Sequence, residues 1–77
     1  MRLDHLPIGQ QAKITAIDDA PMAMMVKLRE IGFAEDDLVK IVHLGPINKT
    51  PLCIQLNQTL VALRRAEAAM IRVDPLS

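Results

Sequence analysis

Leu52-Cys53-Ile54-Gln55-Leu56-Asn57-Gln58-Thr59-Leu60-Val61-Ala62-Leu63 holds two short runs joined by two polar residues. In the first run Leu52, Ile54 and Leu56 alternate with Cys53 and Gln55, the period of a strand with one buried face. Asn57-Gln58 has the length of a two-residue hairpin turn, and asparagine tolerates the left-handed backbone that such a turn uses. Thr59 to Leu63 returns as the partner strand.

Further strands flank this hairpin. Leu38 to Leu44 alternates imperfectly, with Val39, Ile41 and His43 on one face and Lys40, Val42 and Leu44 on the other. Apolar residues on both faces suit a strongly curved strand covered on each side. Gly45-Pro46-Ile47-Asn48-Lys49-Thr50-Pro51 reads as a loop built from breakers. Beyond the hairpin, Arg64 to Ala69 reads as one tight helical turn, and Met70 to Val73 as a last short strand ended by Asp74-Pro75. Nearer the N-terminus, Leu3 and Leu6 mark a single helical turn closed by Pro7-Ile8-Gly9. Ala12 to Asp18 follows as a strand, with Ile14 and Ala16 on one face.

One helix interrupts the strands. Asp19 is placed to cap its free N–H groups, and Pro21 is tolerated in its first turn. Met24, Leu28 and Ile31 recur at i, i+4 and i+7 with Met25 alongside, one apolar stripe. Gly32 stops the helix in the left-handed conformation. Phe33 then lies where a Schellman ending brings it against Leu28. The order strand, helix, three-strand meander, helical turn, strand predicts a mainly β domain, a small five-stranded barrel whose closure protects the sheet edges.

Composition bounds the function. The 77 residues suffice for one domain, residues 1–77, and 51% are hydrophobic. Phe33 is the single aromatic residue, so the core is aliphatic. Nine basic residues balance nine acidic ones, which leaves no electrostatic footprint for nucleic acid. The lone Cys53 excludes an internal disulfide and a zinc ribbon. With no signal-like N-terminus and no long apolar run, a soluble cytoplasmic protein is expected.

Taken in order, these residues resemble the ferrous iron transport protein A (FeoA) family. The likeness runs from about Leu3 to Val73. It rests on Leu3, Leu6, Pro7 and Gly9 at the start, on Ile14 and Ile17, and on Leu28-Arg29-Glu30-Ile31-Gly32-Phe33. Leu60-Val61-Ala62-Leu63-Arg64-Arg65-Ala66-Glu67-Ala68-Ala69-Met70-Ile71 completes it. Where the family usually has Pro-Gly after Gly-Phe, this chain has Glu35-Asp36. Asn57 stands where glycine is common, and Asn48-Lys49-Thr50 precede Pro51 in place of Gly-Asp. Asp and Asn accept positive φ, so these turns are expected to keep their shape. The resemblance implies an SH3-like barrel and a cytoplasmic accessory role. Its partner would be the cytoplasmic region of a large ferrous-iron permease that carries a GTP-binding domain. It also implies an alternative role, a metal-responsive domain of the kind found in iron-dependent repressors.

Candidate chemistry is sparse. Ser77 is the one serine, and no nucleophile–base–acid set occurs at a recognisable spacing, so no enzyme is expected. His43 and Cys53 form the one Cys–His combination and are weak candidates for iron(II) or another divalent transition metal. With His5 and scattered carboxylates they fall short of the roughly four ligands of a structural site. No cofactor is expected. Nucleic acid is a poor third alternative without stacking aromatics. A small scaffold presents function on its loops. The candidate partner-binding residues are therefore Pro46, Ile47, Asn48 and Lys49, with Met22 exposed on the helix and Arg65 in a charged group with Arg64 and Glu67.

Overall fold

A computed structural model of the chain describes residues 1–18 and 20–76. A 3-10 turn, Leu3–His5, leads into β1 (Gln11–Ile17), α1 (Met22–Ile31), β2 (Leu38–Ile47), β3 (Thr50–Leu56), β4 (Thr59–Leu63), α2 (Arg65–Ala68) and β5 (Ile71–Pro75). The strands form one antiparallel sheet in the order β4-β3-β2-β1-β5. The meander follows from short connections, since a two-residue turn can join only antiparallel neighbours.

The sheet curls around one core, aliphatic apart from Phe33. Ala12, Ile14 and Ile17 of β1 bury with Val39 and Ile41 of β2 and with Leu52, Ile54 and Leu56 of β3. Leu63, Ile71 and Val73 close it from the last strands, with Leu3 and Leu6 from the N-terminal turn. The two end strands, β4 and β5, are not hydrogen-bonded to each other. Between them in sequence, α2 packs against β3 and the N-terminal 3-10 turn and buries Ala68 completely.

The helix ends as its sequence requires. Gly32 has φ +122°, the Gly32 N–H reaches the Arg29 carbonyl at 3.1 Å, and the Phe33 N–H reaches the Leu28 carbonyl at 3.1 Å. Those two bonds define the Schellman ending, and Leu28 and Phe33 both lie fully inside the core. At the other end Pro21 is itself the N-cap, with no side-chain hydrogen bond to it, rather than a first-turn residue. Asp19, the expected cap, lies outside the described residues. Of the stripe, Leu28 is buried while Met24, Met25 and Ile31 pack half-buried against the core.

Two expectations for β2 are corrected. Its pairing with β3 slips between Ile41 and His43, and this irregularity turns His43 out to solvent instead of inward beside Val39 and Ile41. The breaker-rich stretch is not a loop either. The ladder continues to Ile47↔Thr50, and only Asn48-Lys49 form the turn, with φ of +52° and +59°. A second bulge between Leu44 and Ile47 sets Gly45-Pro46 against Pro51, so the missing proline donors fall where the ladder is already interrupted. Gly45 is required there, because a Cβ would stand 2.1 Å from the Thr50 carbonyl oxygen. The Thr50–Pro51 peptide bond is cis. In β1 a similar slip between Ile14 and Ala16 buries Ile17 and leaves Ala16 half-buried.

Candidate functional site

The long β2–β3 hairpin projects four of the candidate residues into solvent. Pro46, Asn48 and Lys49 are exposed, and Ile47 is 72% exposed. The turn is anchored from below. The Arg65 guanidinium donates to the Lys49 carbonyl at 3.3 Å and to the Asp4 carbonyl at 3.0 Å. Arg65 is thus half-buried and ties the hairpin turn to the N-terminal 3-10 turn. Its planar fork suits it to hold two backbone carbonyls at once.

Met22, the remaining candidate, opens α1 and is 79% exposed. Val26, one turn later on the same helix face, is 46% exposed and joins it. Sequence reasoning missed Val26. The signal was there, since Met22 and Val26 stand i, i+4 outside the stripe of Met24, Leu28 and Ile31. The helix is held by Lys27, whose Nζ lies 2.5 Å from Glu67 Oε2 on α2. Glu67 also accepts the Arg64 N–H through Oε1 at 2.8 Å, the return half of a capping box. These bonds, led by that of Lys27, hold the Glu67 carboxyl below its ordinary pKa. So α2 links both presenting elements, through Arg65 to the hairpin and through Glu67 to α1.

His43 and Cys53 do come together. They are directly opposite in the β2–β3 register, His43 exposed and Cys53 half-buried. His5 sits elsewhere, its Nε2 3.7 Å from Asp4 Oδ2. Among the described residues no three His, Cys, Asp or Glu side chains gather closely enough to hold a metal. A cleft of about 300 Å³ opens between Gln11, Leu38, Val39, Lys40, Gln55, Asn57 and Gln58. Its side chains supply amides, one amine and aliphatic carbon, with no carboxylate, imidazole, thiol or hydroxyl. Among the described residues no helix is long and apolar enough to cross a membrane.

The turns that depart from the resemblance keep their geometry. Asp36 has φ +72° and Asn57 φ +54°, so both adopt the left-handed backbone expected of them.

A curled five-stranded antiparallel sheet, with a helix in its first long connection and a helical turn before its last strand, defines a small SH3-like domain. Solved structures bear this out. The zinc-complexed FeoA of Stenotrophomonas maltophilia, described as a prokaryotic SH3 domain protein, is 36% identical, with a TM-score of 0.84 over 96% of this chain and 89% of that one. The FeoA protein of Chlorobium tepidum is 28% identical, with a TM-score of 0.88 over 100% of this chain and 71% of that one. A manganese-dependent transcriptional repressor, 19% identical, shares the fold with a TM-score of 0.84 over 99% of this chain and 41% of its own. The family profile described as FeoA domain matches residues 1–75. No curated protein matches significantly. The chain belongs to the FeoA family, accessory proteins of ferrous iron transport with an SH3-like fold.

Proposed function

We propose that this chain is a cytoplasmic docking module that binds the cytoplasmic region of a ferrous-iron permease and adjusts its transport cycle. Membership of the FeoA family supports an accessory role in iron transport. The observation that carries docking is the hairpin turn, where Ile47 stands 72% exposed beside a backbone carbonyl held by Arg65. An apolar side chain held out on a fixed backbone loses little freedom on binding, which favours it as an anchor. Met22 and Val26 supply a second apolar contact on α1. The test is a titration of isotope-labelled chain with the permease's cytoplasmic region. Shift changes should concentrate at Gly45–Pro51 and at Met22–Val26. A flat titration up to millimolar permease region, or changes confined to residues outside these two segments, would refute this role.

A second reading follows from His43 facing Cys53 across the ladder. Two neutral-to-soft donors on adjacent strands make a weak contact for iron(II) or another divalent transition metal. Anaerobic calorimetry with iron(II) on the parent chain and on His43→Ala tests it; heat that is unaltered by the substitution rules it out.

A further inference from the structure

We propose that the outer edge of β4 pairs with the same edge of a second copy of this chain, antiparallel and centred on Val61. The two ends of the sheet are treated differently. At β5, the Val73 N–H donates to the Met1 carbonyl at 2.8 Å and Arg2 bridges to Arg72, so the chain's first residues cover that edge. At β4 nothing comparable occurs among the described residues.

Which β4 groups face outward follows from the ladder. The Asn57 N–H donates to the Leu38 carbonyl at 2.9 Å, so Asn57, Gln55 and Cys53 direct their backbone groups toward β2. Leu56, Ile54 and Leu52 therefore direct theirs toward β4, onto register partners Thr59, Val61 and Leu63. Leu60 and Ala62 are left with N–H and C=O groups turned away from the sheet. Leu60 is also 64% exposed, and Ala62 is exposed beside it.

Such an edge is normally defended by a charge, a proline or a bulge. Thr59–Leu63 has no charged residue and no proline, and its register with β3 runs from end to end without a slip. A second copy is the occupant this edge fits. Centring on Val61 sets Leu60 of each copy opposite Ala62 of the other, and four backbone hydrogen bonds result. On the same face each large leucine meets a small alanine. Arg64 then falls opposite Gln58, so no like charges meet, and the chain's net charge of zero adds no general repulsion. Four backbone hydrogen bonds and two leucine–alanine contacts make a small interface, so weak self-association, on the order of 0.1–1 mM, is expected.

Sedimentation equilibrium over that range, with amide exchange at both ends of it, tests the pairing. The average mass should rise above 8.5 kDa with concentration. Exchange at Leu60 and Ala62 should slow at least about threefold, while that of Val61, already bonded to β3, should not change. Leu60→Lys brings two ammonium groups to diagonal positions and should weaken association about tenfold or more. Ala62→Pro removes an outward donor and should do the same. A chain that stays at 8.5 kDa throughout, or a dimer unaffected by Leu60→Lys, overturns the proposal. The lysine substitution lies on an exposed side chain, so that arm does not depend on Ala62→Pro folding.

Discussion

Lys27 and Glu67, forty positions apart in the chain, meet at 2.5 Å and join the middle of α1 to α2. Glu67 is the one charged residue in the interior among the described residues, with its side chain 8% exposed while that of Lys27 is 54% exposed. The carboxylate is stable there because its oxygens are divided between the lysine and the Arg64 N–H. Lys27→Met should leave a buried carboxylate with half its partners and cost about 1–2 kcal/mol. Glu67→Ala should cost more, since the cap is lost too. Urea midpoints of the two variants measure the difference, and Glu67→Gln should recover part of it.

Gly45→Ala is the most damaging single methyl addition expected. The new Cβ meets the Thr50 carbonyl and the Pro51 nitrogen, both backbone, so no side chain can swing away to make room. A loss of about 2–4 kcal/mol is expected, with the hairpin tip opening first. Amide exchange at Ile47 and Thr50 reports that opening. Gly32→Ala should be milder, about 1–2 kcal/mol, because the space beside it is adequate and only its positive φ objects.

Lys49→Gly should stabilise the domain by about 0.5–1 kcal/mol. Lysine gains nothing from a φ of +59°, and the carbonyl that Arg65 holds remains after the substitution. Thermal unfolding distinguishes this rise from the fall expected of Arg65→Ala, which releases two backbone carbonyls.

Acid should weaken the fold in a defined window. The Arg29 guanidinium donates to both Glu35 oxygens and, with a backbone hydrogen bond, lowers that carboxyl from 4.5 to about 2. Asp18 is lowered chiefly by its bond from Arg2, and Arg72 adds to it. Each folded value lies below the unfolded one, so the unfolded chain binds protons first. The contribution is complete above the ordinary carboxylate range and is lost as pH falls through the folded value, for Glu35 between 4.5 and about 2. Glu35→Gln should flatten the pH dependence of the urea midpoint inside that window and leave its slope above pH 5 unaltered.

Docking makes its own prediction. Ile47→Asp should weaken binding of the permease's cytoplasmic region about tenfold or more while changing thermal stability little, because the side chain is mostly exposed. Titration calorimetry beside a melting curve checks both halves.

Local rules were legible wherever one residue decides its own geometry. Gly32 had to be left-handed, Leu28 and Phe33 had to meet, and Asp36 and Asn57 could hold positive φ, all within a few residues of sequence. Alternation placed Leu52, Ile54 and Leu56 inside for the same reason. The candidate residues Met22, Pro46, Ile47, Asn48 and Lys49 were legible as surface because nothing in their spacing called for burial.

What the chain alone determined is its set of elements and the aliphatic side chains that fill the core, since both follow from short-range periodicity and turn chemistry. The folded arrangement decided the rest: bulges in β2 turned His43 outward, the Thr50 carbonyl made Gly45 obligatory, and Arg65 became a clamp on Lys49. Those outcomes depend on which backbone lies alongside, and a neighbour supplied from far along the chain leaves no local mark.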